Sequence, residues 1–589
     1  MEANNHRYEH YFYWLAFLIA LGLRIFRLGA APLADSEASW ALQALHLAHG
    51  GVSTVLGAQP AYILITSILF SLLDNTNFLA RFIPALTGSL IIWLPFYFRR
   101  WMGDSSWLHR AGLVLAFGLA IDPGLVALSR QAGSLMPALV FTLLALAAVY
   151  NRRMLWLGIF AGLALLSGPA FLQGLLILAV SWGLLRLVVG KTDQAQEGMD
   201  EAEPPVEFTQ PFHIQKALPA FVLTILIAGT LFLRAPQGLG GLADTLSAYL
   251  KTWITPSGIP ILRLPGSLLV YEIFVIIFFL IAFIRTWFSK NVDHFIHPAM
   301  MGLSIWSIVA FLLPLVYVGR QVGDMAWALV PLWALASLEI GRFLDFGDDK
   351  TTHVVAACLA ALLLVLAVVG WMNFLSISHD ASRLVLYLAI MIGAFLLGLI
   401  AVLLVAAGWS THAARLGVVA ALCLVFGLQL ISNTIGMAIV RRGGAQELWS
   451  TASTTGQADL LKSTLTDLSA RTTGMRDQLE IVALNASPSL EWALRNFPNA
   501  RFESTLASTE APPVVITLKG AEEPVLAEKY RGQDFVWTLS PAWLGAFPPD
   551  FVNWLAFRTA PLNQTQVILW ARADIFPGGA LENTSATAP

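Results

Sequence analysis

Long apolar runs, separated by short polar links, follow one another along the chain from residue 11 to residue 440. Thirteen of these runs are predicted to be membrane-spanning helices, because a helix needs about 17–25 mostly apolar residues to cross the hydrocarbon core. They lie near 11–28, 79–98, 111–127, 132–150, 154–167, 170–188, 217–233, 267–287, 299–318, 325–341, 353–372, 383–407 and 415–440. A further run, 60–73, has only 14 residues and suits either a short span or a helix lying at the membrane interface.

The composition agrees with a multi-pass protein of the plasma membrane in contact with the lipid bilayer. Of the 589 residues, 57% are hydrophobic and 12% are charged, whereas soluble domains carry about 25% charged residues. The net charge of −2 gives no basic field, so no nucleic-acid partner is expected. The two cysteines, Cys358 and Cys423, lie in apolar runs, which excludes a disulfide framework and a cysteine-based metal site.

The positions of lysine and arginine predict the orientation, because cytoplasmic loops are enriched in both. If the 60–73 run does not span and the N-terminus is inside, the inner loops between residue 60 and the tail hold thirteen of these residues and the outer loops seven, and making 60–73 a span would exchange the two totals. The inner set is Arg99, Arg100, Arg110, Arg152, Arg153, Arg186, Lys191, Lys216, Arg285, Lys290, Arg342, Lys350 and Arg415, and the outer set is Arg81, Arg130, Arg234, Lys251, Arg263, Arg320 and Arg383. The run 60–73 is therefore predicted to be interfacial, in an external first loop at 29–78.

The chain divides into a membrane domain at 1–440 and a tail at 441–589. The tail has more charge and proline, and its short β-type runs at 478–484, 513–518 and 565–571 enclose a helix at 489–495 with Ser489 as its N-cap. This order predicts a small extracytoplasmic α/β domain. The segment 190–216 is predicted to be a disordered acidic linker on the cytoplasmic side. The predicted fold is thus all-α and polytopic, with about thirteen transmembrane helices and this small domain.

The first external loop contains the candidate catalytic residues. Asp35 and Glu37 follow the first span directly, and the spacing of Glu37, Trp40 and Leu45 predicts an amphipathic surface helix starting near residue 36. A lowered dielectric at the membrane surface raises a carboxyl pKa and suits it for general-base catalysis. The alternative is that Asp35 and Glu37 only cap the helix, since acidic residues in the first turn stabilise a helix N-terminus.

The order of motifs from residue 20 to residue 150 resembles the polytopic C-type (GT-C) glycosyltransferases. It is most similar to the protein O-mannosyltransferase and lipid A aminoarabinose transferase group, a glycosyltransferase family 39-like group. The acidic pair follows the first span, Arg81-Phe82-Ile83-Pro84-Ala85-Leu86-Thr87-Gly88 opens the second, and Ser129-Arg130 ends the third. The likeness beyond residue 150 is one of topology.

Three departures from the family pattern bear on a metal site. The family has adjacent Asp-Glu where this chain has Ser36-Glu37, with Asp35 displaced by one position. Ile83 is an additional residue in the second motif, and Leu135 stands where the family has a second acid. The resemblance therefore leaves a divalent metal cofactor open, and it also leaves open a degenerate member without activity.

The resemblance implies transfer of a sugar from a polyprenyl-phosphate donor to an extracytoplasmic acceptor hydroxyl on a protein, lipid or glycan. Glu37 or Asp35 would deprotonate the acceptor, with Glu37 preferred because it keeps the family's register. A leaving phosphate at the membrane surface needs cationic partners, for which arginine is suited. The candidate substrate-binding residues are Arg130, Arg81, Arg263, Arg24, Arg320 and His46. For each of them the alternative is an interfacial anchor.

Two other functions are compatible with the sequence. A non-catalytic GT-C-like scaffold whose tail binds a partner agrees with the missing second acid. A transporter or flippase agrees with the proline-broken spans at Pro314 and Pro331, although the chain has no detectable repeat and most charges stand at span ends.

We expect residues 29–78 and 441–589 on one side of the membrane and 190–216 on the other. Single cysteines replacing Gly198 and Ser508, in a chain whose two native cysteines are changed to alanine, should react with an impermeant thiol reagent from opposite sides. Labelling of both positions from the same side would contradict the orientation.

Overall fold

The computed structural model describes residues 2–51, 56–98, 105–196, 214–289, 296–344, 350–379, 381–441, 444–450, 453–520 and 526–576. Before the tail these residues form nineteen helices, here named α1 to α19. They are Glu2–Ile25, Asp35–Ala48, Pro60–Leu72, Asn77–Leu90, Leu94–Tyr97, Ser106–Ile121, Pro123–Ser129, Leu135–Tyr150, Met154–Leu166, Pro169–Gln196, Ile214–Gly229, Gln237–Thr252, Arg263–Tyr271, Ile273–Phe288, His297–Val316, Ala326–Phe343, Lys350–His379, Leu384–Gly408 and Thr411–Ile435.

Each predicted span coincides with a helix or a bent pair of helices. Among the described residues, seven helices are long and apolar enough to cross a membrane, or nine if each of two bent pairs counts as one span. The prediction of a multi-pass, mostly helical protein with a small sheet domain is confirmed at this level, while the count of thirteen spans stays a prediction. The middle of the predicted acidic linker, 197–213, lies outside the described residues. Its ends are helical rather than disordered, because 190–196 belong to α10 and 214–216 to α11.

Two helix breaks occur at buried acidic residues in the interior of the bundle. Helices α6 and α7 meet at 52° across Asp122, and α13 and α14 meet at 95° across Glu272. Pro123 disfavours a helical conformation at Asp122, whose carboxylate then caps α7 by accepting a hydrogen bond from Leu125 N (2.6 Å). The Asp122 carboxylate also accepts a hydrogen bond from Trp333 Nε1 of the buried helix α16 (2.7 Å).

The tail forms a six-stranded mixed sheet with helices α20 to α22. The strands β1 to β6 are Ser453–Thr454, Ile481–Leu484, Ala500–Glu503, Val514–Leu518, Tyr530–Pro541 and Leu562–Arg572, in the order β1-β5-β6-β4-β2-β3. The helices are Gln457–Thr473, Pro488–Leu494 and Phe551–Phe557. Strand β2 is parallel to both β3 and β4, and helix α21 connects β2 to β3. Strands β5 and β6 form a long antiparallel pair. The three strands expected from the sequence correspond to β2, β4 and β6.

The predicted N-cap of helix α21 is wrong. The capping position is Ser487, and Ser489 lies inside the first turn because Pro488 is the first helical residue. The Ser489 hydroxyl instead accepts a hydrogen bond from Trp537 Nε1 of β5 (2.9 Å), which ties α21 to the sheet.

Helix α21 also fastens the sheet domain to the first external loop. Ser489 N donates to Asp35 Oδ1 (3.0 Å), and Trp492 Nε1 donates to Asn77 Oδ1 (2.7 Å). Thr454 of β1 donates its hydroxyl to Leu33 O (2.7 Å). The tail therefore contacts the start of helix α2 and the residues just before it. Helix α2 carries the candidate catalytic residues.

Candidate functional site

Helix α2 positions Glu37 in its first turn. Ala34 is the N-cap residue, and the Glu37 side chain folds back so that Oε2 accepts a hydrogen bond from Ala34 N (3.0 Å). This is the acidic half of a capping box, which satisfies one of the free N–H groups of the helix start. The carboxylate of Glu37 is thereby fixed relative to the chain that leaves α1.

Arg81 of helix α4 binds the same carboxylate through two parallel hydrogen bonds. Arg81 Nε donates to Glu37 Oε1 (2.8 Å), and Nη2 donates to Oε2 (2.6 Å). Ala132 N, in the turn between α7 and α8, donates to Oε1 (2.8 Å). Burial opposes ionisation, but the charge of Arg81 and these N–H donors bring the pKa of Glu37 below its usual value. Glu37 is therefore an ionised carboxylate at neutral pH.

The Glu37–Arg81 pair borders a cavity of about 400 Å³ at the end of the helical bundle where α1 ends and α4 begins. The described charged residues that line it are four arginines and two glutamates, namely Arg27, Arg81, Arg130, Arg441, Glu37 and Glu447. The lining also includes the link at 321–323 and the described residues Arg441, Gly444, Glu447, Trp449, Ser450, Ser453 and Thr454. The described part of the cavity thus carries a surplus of positive charge.

Arg130 lines the cavity and closes the end of helix α1. Its Nη1 donates to the carbonyls of Leu23 (2.9 Å), Arg24 (3.0 Å) and Phe26 (3.0 Å). A guanidinium at the last turn compensates the partial negative charge of a helix C-terminus. Beside it, the exposed Arg27 has a left-handed backbone (φ 52°), a conformation that costs a non-glycine residue about 1–2 kcal/mol. Arg27 and Arg130 thus both line the cavity next to the end of α1.

A second ion pair lines the cavity, between Arg441 and Glu447 after the last span. Arg441 Nε donates to Glu447 Oε1, and the hydroxyl of Tyr271 donates to Glu447 Oε2. Glu447 is 2% exposed, so its charge depends on these partners. The sequence analysis missed both Arg441 and Glu447. A cation directly after the last span was the signal available for Arg441, whereas no pattern marks Glu447.

The structure brings three of the eight candidate residues to the cavity, namely Glu37, Arg81 and Arg130. Arg24 is fully buried beside Ser129 and donates to the backbone carbonyls of Ala20, Leu119 and Ala120. Arg263 donates to the carbonyls of Glu447, Leu448 and Ser450. Both guanidinium groups hold the chain around the cavity rather than facing into it.

The other three candidates also lie outside the lining of the cavity. Asp35 accepts the hydrogen bond from Ser489 N described above, Arg320 donates to Ile259 O (3.3 Å), and His46 is exposed near the end of α2. Of the two acidic residues considered as a base, Glu37 is the one that faces the cavity.

A divalent metal does not fit the described residues of this cavity. Four N–H donors from Arg81, Ala132 and Ala34 already occupy the acceptor positions of Glu37. Glu447 is held by Arg441 and Tyr271. The described residues contain no group of three or more His, Cys, Asp and Glu side chains placed to hold a metal ion.

The link at 321–323, which lines part of the cavity, is anchored by Asp324. The Asp324 carboxylate accepts hydrogen bonds from the hydroxyl of Tyr317 and from Gln321 N (2.7 Å). Burial raises the pKa of Asp324 to about 6, although both hydrogen bonds act in the opposite direction. The residues next to it, Gln321, Val322 and Gly323, line the cavity.

The comparison with solved structures identifies the fold. ArnT from Cupriavidus metallidurans bound to undecaprenyl phosphate superposes with a TM-score of 0.51 and 16% identity, over 94% of this chain and 97% of that one. The archaeal oligosaccharyltransferase AglB from Archaeoglobus fulgidus, in complex with an inhibitory peptide and a dolichol-phosphate, gives a TM-score of 0.45 and 14% identity, over 87% of this chain and 70% of that one. No protein-family model and no curated protein sequence matches the chain. The chain has the GT-C fold, as its motif order suggested.

We expect Asp324→Asn to stabilise the protein above pH 6. In the folded protein, burial raises the pKa of Asp324 above 3.8, the ordinary value for an aspartate. The folded state therefore holds the proton more tightly than the unfolded state between about pH 4 and pH 6. The stability contributed by this proton is complete below pH 4 and is lost as the pH rises through 6. Asparagine is neutral, and its Oδ1 can accept both hydrogen bonds.

The melting temperature of wild type relative to Asp324→Asn should therefore fall as the pH rises from 4 to 7. The exposed Asp244→Asn, on α12, is the matched control and should show no such trend. A difference between Asp324→Asn and wild type that stays constant from pH 4 to pH 8 would refute the assignment.

Proposed function

We propose that the protein is a membrane glycosyltransferase that moves a sugar from a polyprenyl-phosphate donor to an acceptor hydroxyl on the extracytoplasmic side. The donor phosphate lies in the cavity described above, at the ends of the spans, and its polyprenyl chain stays in the bilayer. The fold supports this proposal, because ArnT has the same fold and binds undecaprenyl phosphate. The sugar and the acceptor are left general.

The observation that carries the proposal is the charge of the cavity. Its described residues include four arginines and two glutamates, so the described lining has a net positive charge. Arginine binds phosphate oxygens through its planar fork of N–H donors. Arg27, Arg130 and Arg441 come from three different parts of the chain and all line this cavity, so a phosphate bound in it can accept from more than one guanidinium group.

In the proposed reaction Glu37 accepts the proton of the acceptor hydroxyl. The acceptor oxygen forms a bond to the anomeric carbon while the bond from that carbon to the phosphate oxygen breaks, and the lipid phosphate leaves with the electron pair. For this step one of the four N–H donors around Glu37 must give way to the acceptor. The pKa of Glu37 is lowered by its partners, not raised as its position at the membrane surface had suggested, so the carboxylate is in the ionised form that a base requires.

The same coordination favours a second candidate function, a non-catalytic protein of GT-C fold that binds a polyprenyl phosphate or a partner protein. A carboxylate whose acceptor positions are filled by Arg81, Ala132 and Ala34 is well placed to hold three chain segments together. In that function Glu37 is a structural residue, and the cavity binds its ligand without turnover.

Transfer from a lipid-linked donor separates the two functions. Purified protein in detergent or nanodiscs is incubated with radiolabelled sugars on polyprenyl phosphate and a panel of protein, lipid and glycan acceptors. Label appearing in an acceptor supports the transferase. Binding of polyprenyl phosphate without transfer to any acceptor supports the non-catalytic candidate, and absence of binding overturns both donor-based functions.

We expect Glu37→Gln to lower the turnover number by about 10²- to 10⁴-fold, the usual effect of removing a positioned base. Asp35→Asn should retain most of the activity, because Asp35 lies outside the cavity and asparagine can still accept from Ser489 N. Donor binding by Glu37→Gln is measured in parallel, so that loss of the buried ion pair is distinguished from loss of the base. Unchanged turnover in Glu37→Gln and Asp35→Asn, alone and combined, would exclude both as the base.

We expect Arg130→Ala to lose most of the transfer activity and Arg130→Lys to retain part of it. Lysine keeps the positive charge but lacks the fork that binds two oxygens at once. Since Arg130 also holds the end of α1, the melting temperature of each variant is recorded with its rate. Transfer by Arg130→Ala at the wild-type rate would show that Arg130 only closes the helix.

A further inference from the structure

Arg441 and residues 444–450 follow the last span and precede the sheet domain in the sequence, and several of them line the cavity; we call these described residues the linker. Its backbone is held from both directions. Arg263 of α13 donates to the carbonyls of Glu447 (3.2 Å), Leu448 (3.2 Å) and Ser450 (2.6 Å), and Trp554 of α22 donates Nε1 to Gln446 O (2.9 Å). The linker is therefore a fixed wall, positioned jointly by the membrane domain and the sheet domain.

Arg441 begins this linker and is oriented by one of its guanidinium nitrogens. Nε donates to Glu447, which is fixed in turn by the hydroxyl of Tyr271. Within the part of the chain that the structure describes, Nη1 and Nη2 of Arg441 have no hydrogen-bond acceptor, and the side chain is 26% exposed and lines the cavity. The two outer nitrogens thus keep their four N–H donors for a ligand.

Gly436 provides the space for this guanidinium. A Cβ atom at Gly436 would lie 2.2 Å from Arg441 Nη2 and 2.9 Å from Nη1. The glycine has an ordinary helical backbone (φ −54°, ψ −51°), so its conformation does not require glycine. Gly436 is the first residue of a five-residue π-helical turn, Gly436–Val440. Such turns often mark functional sites. The missing side chain at this position therefore serves the placement of Arg441.

We infer that Arg441 is a ligand of the donor phosphate, contributed by the linker to the cavity that Arg130 also lines, and that Glu447 and Tyr271 position it. The inference rests on the proposed function and extends it to a residue outside the sequence motifs. The ligand class is a phosphoryl group on a polyprenyl chain, whose oxygens accept from Nη1 and Nη2. Glu447 keeps its hydrogen bond from Tyr271 while Arg441 contacts the phosphate, so the pair is not broken on binding.

The arrangement has a consequence for the sheet domain. Because Trp554 and the Asp35–Ser489 hydrogen bond hold that domain against the linker and α2, a docked sheet domain is required to present Arg441 to the phosphate. The donor site of this chain is therefore built from both domains, and its affinity for phosphate reports on their docking.

The test compares two ligands that differ only in the phosphate. Binding of undecaprenyl phosphate and of undecaprenol to the purified full-length chain is measured for wild type, Arg441→Gln, Arg441→Lys and Gly436→Ala. Arg234→Gln, an exposed arginine outside the cavity, is the control for loss of a charge. Gly427→Ala, on the same helix with open space around its Cβ position, is the control for Gly436→Ala.

A charged hydrogen bond contributes about 1.5–3 kcal/mol, so Arg441→Gln should bind undecaprenyl phosphate about 10- to 100-fold more weakly. Arg441→Lys should lie between Arg441→Gln and wild type, and Gly436→Ala should weaken binding several-fold because it displaces the guanidinium. The affinity for undecaprenol should not change in any variant, and both controls should match wild type for both ligands.

The outcomes separate this inference from the proposed function. If wild type prefers undecaprenyl phosphate to undecaprenol but Arg441→Gln and Gly436→Ala bind it as wild type does, the role of Arg441 is refuted and the donor site stands. If wild type binds the two ligands equally, the cavity is not a phosphate site, and both the inference and the proposed function fail. If Arg441→Gln does not fold, Gly436→Ala decides alone, since it keeps every charge.

Discussion

The buried ion pair between Glu37 and Arg81 is the interaction on which the geometry of the cavity depends. Each charge loses several kcal/mol of hydration on burial, and only a well-formed pair with further hydrogen bonds compensates that loss. Here the carboxylate accepts from Arg81 and from two backbone N–H groups, which belong to the start of α2 and to the turn before α8. Arg81 in turn donates to the carbonyls of Leu28, Ala31 and Pro32. One pair therefore fixes the first external loop to three other parts of the chain.

Two domains share the task of enclosing the site. The membrane domain supplies Glu37, Arg81 and Arg130, and the sheet domain holds the linker that carries Arg441. Asp35 stands between them, because its carboxylate caps the start of α21 through Ser489 N. Asp35, two positions before Glu37, thus docks the sheet domain, while Glu37 itself faces the cavity.

The sequence predicted the helical bundle, the small sheet domain and part of the site, for reasons that can be traced to single residues. Apolar runs of membrane length are long enough to be unambiguous, and Glu37, Arg81 and Arg130 stood in a motif order shared with a known fold. Arg24 and Arg263 satisfied the same criterion of lying at a span end, yet they face backbone carbonyls, because proximity to a span end does not determine the direction of a side chain. Arg441 and Glu447 were missed since their function depends on tertiary contacts with Tyr271, 176 positions away from Glu447 in the sequence. The same dependence on tertiary contacts explains why β1, β3 and β5 were not predicted.

In the proposed transfer reaction, the charge of the cavity acts on catalysis as well as on binding. A sugar linked through a polyprenyl phosphate is a phosphodiester with a single negative charge, whereas the lipid phosphate that leaves is a monoester with about 1.5 to 2 negative charges at pH 7. The described lining, with four arginines and two glutamates, matches the charge of the leaving group better than that of the intact donor. Interactions that strengthen as the glycosidic bond breaks lower the barrier, whereas interactions equal in both states do not. A cavity with this surplus of positive charge therefore favours the transition state over the bound donor, provided that Arg441 and Arg130 contact the oxygens on which the new charge develops.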